Sequence, residues 1–459
     1  MRFDVVIPVL YSPPEFAFYD ALASWLEEHG HSVALLPLTR DGERFLSARH
    51  RHVFYLYRDI DRRRPASLDE IKQVVARYRL GSMDDHVFPE RIYWGRPVAE
   101  LATRAVRIFG FLEEFCAQHS VGMFLNNVGG EIVRRCMTRL AEAGGPPNAI
   151  LDFAPLHGRL ALTTREAGWD ELPAVLPHLD APKRAAVEEL VTRATRERKM
   201  FCAPSPLGIK PRNLWRGLRM AKALLSDEPR DYSLAAIYAE RLRWVARRPI
   251  TRAFYEQPVA GEPYLFFPLH LGVDSALTIR APQYVRQEVV VDHLVNHALP
   301  PGVKLYVKPH VGARDAYPIG MLAELRRMPN VRLIDPTANS HAMIQGALGT
   351  IVINSTVGFE SLLYGKPVVT LGRSFYRGYG ITTDVESLYD AREAVRTALE
   401  GRPDRELTLR FLGACLDATF EGSWFDVAPE NIARLGAAIV RKAERLRQPA
   451  TASPAARAR

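Results

Sequence analysis

The period of the hydrophobic pattern switches repeatedly along the chain. FDVVIPVL (residues 3–10) and SVALLPL (32–38) are apolar runs of strand length. Between them Phe18, Leu22, Trp25 and Leu26 recur at helical spacing, over about Glu15 to His29. Gly30 stands where a helix C-cap is expected, so the chain opens as strand, helix, strand. HVFYLY (52–57) reads as a further strand in a stretch rich in Arg and aromatics. Pro97–Ser120 predicts a helix with Leu101, Ala105, Ile108, Leu112 and Phe115 on one side. VGMFLNN (121–127) predicts a strand, Gly129-Gly130 opens a helix through Arg139, and NAILDFAP (148–155) returns to a strand. Strands alternating with helices predict a parallel sheet.

Residues 165–260 are mainly helical, polar and basic, broken at Pro204, Pro206 and Pro211. YLFFPLHL (264–271) starts a second alternation. A helix from Tyr284 to His297 ends before Pro300-Pro301. Strand-like runs follow at Lys304–Val307, Val331–Ile334, Thr350–Ile353 and Pro367–Leu371. The last helices, Asp404–Phe420 and Pro429–Leu446, complete this half and are free to pack back on the first. The expected class is α/β, with residues 1–255 as one domain, 256–447 as a second and 448–459 as a disordered tail.

The chain has 459 residues, 47% hydrophobic and 25% charged, ordinary for a two-domain globular protein. No run approaches the ~20 apolar residues of a membrane helix. MRFDVVIPVLY reads as a buried strand, not a secretory leader, so the expected location is cytoplasmic, with room for peripheral contact at an inner membrane face. The net charge of +9 suits acidic partners such as nucleotide diphosphates or anionic headgroups. Nucleic acid is set aside, because no basic stretch is interleaved with aromatics as a binding stripe. Cys116, Cys136, Cys202 and Cys415 are scattered without metal or redox spacing and read as reduced thiols. Asp59-Ile60-Asp61 has the spacing of a metal-binding pair of acids. Arg58 and Arg62 to Arg64 flank it, so it reads as a solvated charge cluster and no metal is expected. Asp84-Asp85-His86 reads as an exposed turn.

The chemistry-bearing residues of the second half fall at strand ends. His310 follows the first run, Asn354-Ser355-Thr356 the third and Gly372 the fourth. In an open α/β sheet the ligand crevice lies at the carboxyl ends of the strands. Hydroxyls and N–H groups opening a helix suit phosphate oxygens, so a phosphorylated ligand is expected. The same Ser or Thr is also an ordinary helix N-cap. Lys308, Arg280, Arg314 and Arg373 are candidates to neutralise a phosphate or carboxylate. Gly365 and Gly372 suit a helix end and a tight strand exit.

Three segments in this order, PLHLGVDSA, QEVVVDHLVNHALPPGVKLYVKPHV and INSTVGFESLLYGKPVVTLGRSFY, resemble the bacterial capsule polysaccharide biosynthesis family, which includes the Kdo transferases of capsule assembly. The likeness covers about residues 260–380. The family's usual phrasing has Gln-Pro where Gly272-Val273 stand, Glu where Pro309 stands and Pro where Val311 stands. The resemblance implies a GT-B-like fold, two Rossmann-like domains facing a cleft. It implies a glycosyltransferase that uses a nucleotide-sugar co-substrate, with no cofactor and no metal, and CMP-Kdo is the leading donor.

By the same resemblance His310 stabilises the leaving phosphate. Lys308, Asn354, Ser355 and Thr356 contact the donor, Gly372 permits its close approach, and Glu360 binds ribose hydroxyls. Asp274 stands where the family has Glu and is a candidate base or donor contact. From the first half, Glu131 after Asn126-Asn127-Val128-Gly129-Gly130 is the leading catalytic base, with Glu15 behind it. His157 and Arg159 are candidate contacts to a glycan or glycolipid acceptor. A capsule assembly complex is a further expected partner. Two alternatives stay open. One is a CDP-polyol phosphotransferase or UDP-sugar 2-epimerase on the same fold. The other is a catalytically silent polysaccharide-binding or export scaffold.

Overall fold

The computed structural model describes residues 1–10, 12–58, 64–154, 156, 158–198, 243, 246–311 and 316–447. Asp59-Ile60-Asp61, Cys202, the prolines at 204–211, Arg314 and the tail 448–459 lie outside the described residues. Two compact units emerge. One joins Met1–Pro177 to Ala414–Arg459; the other is His178–Gly413.

In the first unit β1 (Arg2–Phe3) and β4 (Ser120–Val121) form a small parallel pair. The main sheet contains β2 (Val5–Val9), β3 (Val33–Pro37), β5 (Phe124–Asn127), β6 (Asn148–Phe153) and β7 (Arg159–Thr163). These run in the order β7-β6-β5-β2-β3, and all pairings except β6–β7 are parallel. Alternate residues of β2 enter opposite cores: Val6 packs with Ala34 and Phe124, whereas Val5, Ile7 and Val9 pack with Leu35 and Leu125. Burial on both faces is why these strands read as unbroken apolar runs.

HVFYLY is not a strand. It tracks the β3 edge through a single bridge, Leu35 to Val53. His52 O accepts from Leu35, and Phe54 donates back to Leu35 O. Two residues on, the ladder needs a donor at Pro37, which has none. Asp84-Asp85-His86 is also not an exposed turn. It opens the helix Met83–Trp94 with Ser82 as N-cap, and His86 is buried.

The second unit contains β8 (Tyr264–Pro268), β9 (Lys304–Lys308), β10 (Val331–Leu333), β11 (Gly349–Val352), β12 (Val368–Thr370) and β13 (Thr383–Asp384). Their order is β10-β9-β8-β11-β12-β13, all parallel. Counted from β8 this is 3-2-1-4-5-6, the doubly wound dinucleotide-binding order. Both units are α/β with mainly parallel sheets, as the sequence predicts.

The expected boundary near residue 255 differs from the observed division. The helix Ala181–Glu197 lies within the second unit, where Tyr364 Oη donates to Thr195 O at 3.3 Å. The chain re-enters the first unit within the helix Arg405–Ala418. There β14 (Thr419–Glu421) pairs antiparallel with β7, and the helix Pro429–Arg447 packs on Pro13–Glu28. Arg159 fixes this return, bonding Thr419 Oγ1 at 2.7 Å, Thr419 O at 2.7 Å and Leu416 O at 2.9 Å.

Where the last helix crosses the first, Gly436 faces Trp25. A Cβ there would sit 2.0 Å from Trp25 Cε3. Alanine would gain about 1 kcal/mol of helix propensity, but overpacking a rigid indole costs about 1–3 kcal/mol. Gly436→Ala is therefore expected to lower stability despite its better propensity, with urea denaturation as the measurement.

Candidate functional site at the strand ends of the second unit

Strand order reverses between β8 and β11, which opens a crevice at their carboxyl ends. Pro268 and Lys308 are register partners, the last residues of β8 and β9. His270 and His310 each stand two residues further on, at equivalent exits of neighbouring strands.

The two exits are tied together. Gln287 is buried and clasps the His270 backbone, accepting from its N at 2.7 Å and donating to its O at 3.0 Å. Tyr317 Oη donates to His270 O at 2.9 Å and accepts from His310 N at 3.0 Å. Burial pushes the His270 imidazole below its usual range, Asp274 opposes the shift, and His310 adds to it. His310 is lowered by burial, held up by Asp274 and lowered further by Lys308. Asp274, His270, His310 and Lys308 therefore form one electrostatic neighbourhood. His270 Nε2 is buried and has no hydrogen bond.

Asp274 is the N-cap of the short helix Ser275–Thr278, accepting from Ala276 N at 2.9 Å. The capping role and the proximity to both imidazoles hold together. Asn354, beyond β11, donates from Nδ2 to Ala276 O at 2.6 Å and so anchors this helix; its Oδ1 is buried without a partner. Ser355 caps the helix Thr356–Leu363, accepting from Val357 N at 3.2 Å, and Tyr376 Oη holds Ser355 O at 2.7 Å. Thr356 is the first residue of that helix and is exposed. The capping and anion-binding readings of this turn are compatible, because the N-terminus it caps is electropositive.

Lys308 and Glu360 are 4% and 6% exposed, and neither side chain has a hydrogen bond or ion pair among the described residues. Burial lowers Lys308 to about 8, with Glu360 and then Asp335 opposing. Burial raises Glu360 to about 7, and Lys308 opposes. Burial thus weakens the charged form of both groups, and each opposes the other's shift without a direct ion pair. Gly372 serves packing: its N bonds Ile353 O at 2.7 Å, and an added Cβ would lie 3.1 Å from Ala281 Cβ. Arg373 is exposed, and Arg280 is half-buried.

The first unit gathers a second group. Glu131 is the N-cap residue of the helix Ile132–Glu142 without capping it through its side chain, and it pairs with Arg134 at 2.9 Å. Arg134 reaches Glu15 at 3.5 Å. Tyr19 Oη donates to Asn127 Oδ1 at 2.6 Å, at the carboxyl end of β5. Glu90, from the helix Met83–Trp94, accepts from Ile132 N at 2.8 Å and from Arg104 at 2.7 Å. Gly130 lets this turn approach Pro89, where a Cβ would sit at 2.4 Å. The Arg159 bonds described above go to the returning chain. His157 lies outside the described residues. Among the described residues no three His, Cys, Asp or Glu side chains gather as a metal site, and no helix is long and apolar enough to cross a membrane.

The sequence reading missed His270, Gln287, Tyr317 and Glu90. His270 was legible, since Pro-Leu-His and Lys-Pro-His place a histidine at the same offset from two adjacent strands. The other three carry no local pattern.

Residues 236–421 match the family model described as capsule polysaccharide biosynthesis protein. The capsule polysaccharide modification protein LipA of Neisseria meningitidis serogroup B is 31% identical over 84 residues, 18% of this chain and 12% of LipA. Protein FixF of Sinorhizobium fredii is 28% identical over 151 residues, 33% of this chain and 36% of FixF. The matches thus span well under half of either relative. Among solved structures, the beta Kdo 2,7 transferase of Thermosulfurimonas dismutans KpsC is similar at 16% identity and TM-score 0.35, over 74% of this chain and 95% of that one. The beta Kdo 2,4 transferase of the same KpsC is similar at 16% identity and TM-score 0.38, over 71% and 92%.

The Lys308–Glu360 arrangement gives a signed pH dependence. Glu360 is raised from 4.5 to about 7, so the folded state holds the extra proton in that window and stability falls as pH rises through it. Lys308 is depressed from 10.5 to about 8, so stability rises with pH between those values. Glu360→Gln is expected to remove the acidic-side slope, worth up to about 3 kcal/mol, while keeping the alkaline one. Urea unfolding of both proteins across this range is the check.

Proposed function

We propose that this protein is a glycosyltransferase of capsule or surface polysaccharide synthesis. It moves a sugar from a nucleotide donor to a growing glycan or glycolipid, without a metal. CMP-Kdo is the donor favoured by the family resemblance. The observation that carries the reading is the convergence of His270, His310, Lys308 and the Asn354-Ser355-Thr356 turn on the switch point of the second sheet.

In this reading the donor phosphate lies over the turn that opens the helix Thr356–Leu363. Lys308, mainly protonated at neutral pH, faces the anion as a cation, and His310 donates to the phosphate oxygen that becomes negative as the sugar departs. Neutral imidazoles suit this task, because they donate a hydrogen bond without holding the product nucleotide too firmly. Asp274, from its N-cap position, favours the charged form of both imidazoles. Glu131, with Glu15 beyond Arg134, is the base that takes the acceptor hydroxyl proton. Glu360 is poised near neutrality to bind ribose hydroxyls.

Thermal shift against CMP, CDP, UDP and GDP tests the reading. At a hundredfold excess over Kd a nucleotide that binds only the folded state adds about 2.7 kcal/mol, a readable rise in Tm. One nucleotide is expected to stabilise selectively. His310→Ala should weaken it about tenfold or more, as expected for losing a hydrogen bond to a charged group. Affinity should also rise as pH falls below 6.5, because the anion favours the imidazolium form that burial disfavours. No stabilisation by any of the four would sink the donor-site reading.

A further inference from the structure

Next to the Glu131 group, the first unit exposes aromatic side chains that its core does not use. Phe153, the last residue of β6, is 56% exposed, and Phe425 is 45% exposed. The Trp424 ring lies between them, with centroids 4.3 Å from Phe153 and 5.7 Å from Phe425. Val427 extends the patch.

The patch is held in place. Asn431 is buried and fixes the loop by three bonds. It accepts from Ser423 N at 2.8 Å and donates to Ser423 O at 3.0 Å and Asp426 O at 2.7 Å. Phe425 has a φ of 60°, a left-handed conformation that is unusual for a bulky side chain and tends to persist where the surroundings impose it at functional positions. The patch is also continuous with the acid group. Phe425 packs edge-on against Phe18 at 5.7 Å, Phe18 against Tyr19 at 5.2 Å, and Tyr19 bonds Asn127.

The geometry points to a sugar-stacking platform: Phe153, Trp424 and Phe425 hold a neutral pyranose stretch of the acceptor glycan. This deepens the transferase reading and rests on it for the acceptor role. A pyranose presents an apolar face of C–H groups and a rim of hydroxyls. Rings take the face, and carboxylates accept from the rim. Residues 419–431 supply three carboxylates, Glu421, Asp426 and Glu430, and no Lys or Arg; Arg434 pairs with Glu421 at 3.9 Å, which leaves the rim acidic through Asp426 and Glu430. That rim is the wrong sign for an anionic membrane. Area argues against a protein partner. Two half-exposed rings of roughly 200 Å² each, with a valine, offer about 300 Å², below the ~800 Å² per side of a stable interface.

The test is calorimetric and fluorescence titration of the full chain with cellohexaose, chitohexaose and maltohexaose, with oligogalacturonate as the anionic control. At least one neutral hexasaccharide should bind better than the anionic one and shift tryptophan emission. Phe153→Ala, a surface change that leaves folding intact, should weaken binding at least tenfold. Trp424→Phe should lose the emission change, and an emission change that survives in it would overturn the assignment of Trp424 to the platform. Absence of binding by all three neutral sugars, or full affinity in Phe153→Ala, would overturn the platform. So would a dimer, or binding to phosphatidylglycerol vesicles, that Phe153→Ala abolishes. Nucleotide binding reads the second unit separately: its failure with hexasaccharide binding intact removes the transferase reading and leaves the platform.

Discussion

The arrangement of the second unit depends on one topological constraint, the reversal of strand order between β8 and β11. In a doubly wound sheet such a reversal is where the ligand crevice lies, outside the carboxyl ends of the strands. Among the described residues, two histidines and the Asn354-Ser355-Thr356 turn stand at the strand ends beside that crevice. His270 and His310 leave from adjacent strands in register, and Asn354 and Ser355 leave from the far side. Tyr317 bonds the backbone at both histidines, and Asn354 anchors the helix that Asp274 caps. The strand exits are therefore tied together largely through backbone groups rather than through the imidazoles, Lys308 or Glu360.

Burial then sets the electrostatics. Desolvation is the leading cause of the shift in His270, His310, Lys308 and Glu360, and in every case it favours the neutral form. The opposing contributions of Asp274 to the two imidazoles, and of Lys308 and Glu360 to each other, keep those shifts smaller than burial alone would make them. The first unit uses the opposite strategy: Arg134 stands between Glu131 and Glu15 and keeps them paired.

Much of this was legible in the sequence because burial on both faces leaves an unmistakable mark. Val5–Val9, Phe124–Asn127, Tyr264–Pro268 and Gly349–Val352 read as strands for that reason. HVFYLY failed the same test, because its apolar residues are buried while its ladder is interrupted at a neighbouring strand's proline, a fact of pairing and not of the segment itself. The site divides the same way. His310 and Asn354-Ser355-Thr356 sit in recognisable local phrases. Gln287 and Tyr317 act on backbone groups far away in sequence and are ordinary residues in their own neighbourhoods.

The units also differ in how firmly each candidate is committed to the fold. Arg159 gives three hydrogen bonds to the returning chain, and removing it would loosen β14 before it altered any ligand contact. Glu90 caps the helix Ile132–Glu142 from a neighbouring helix, and that frees the side chain of Glu131, which holds the N-cap position without filling it. An acid at the start of a helix normally bonds the helix's own N–H groups. Here a second acid does that work from outside. Among the described residues Glu131 pairs with Arg134, and a side chain at Gly129 would collide with it. Capping and charge are thus divided between two acids of this unit, Glu90 at the helix N–H and Glu131 at Arg134.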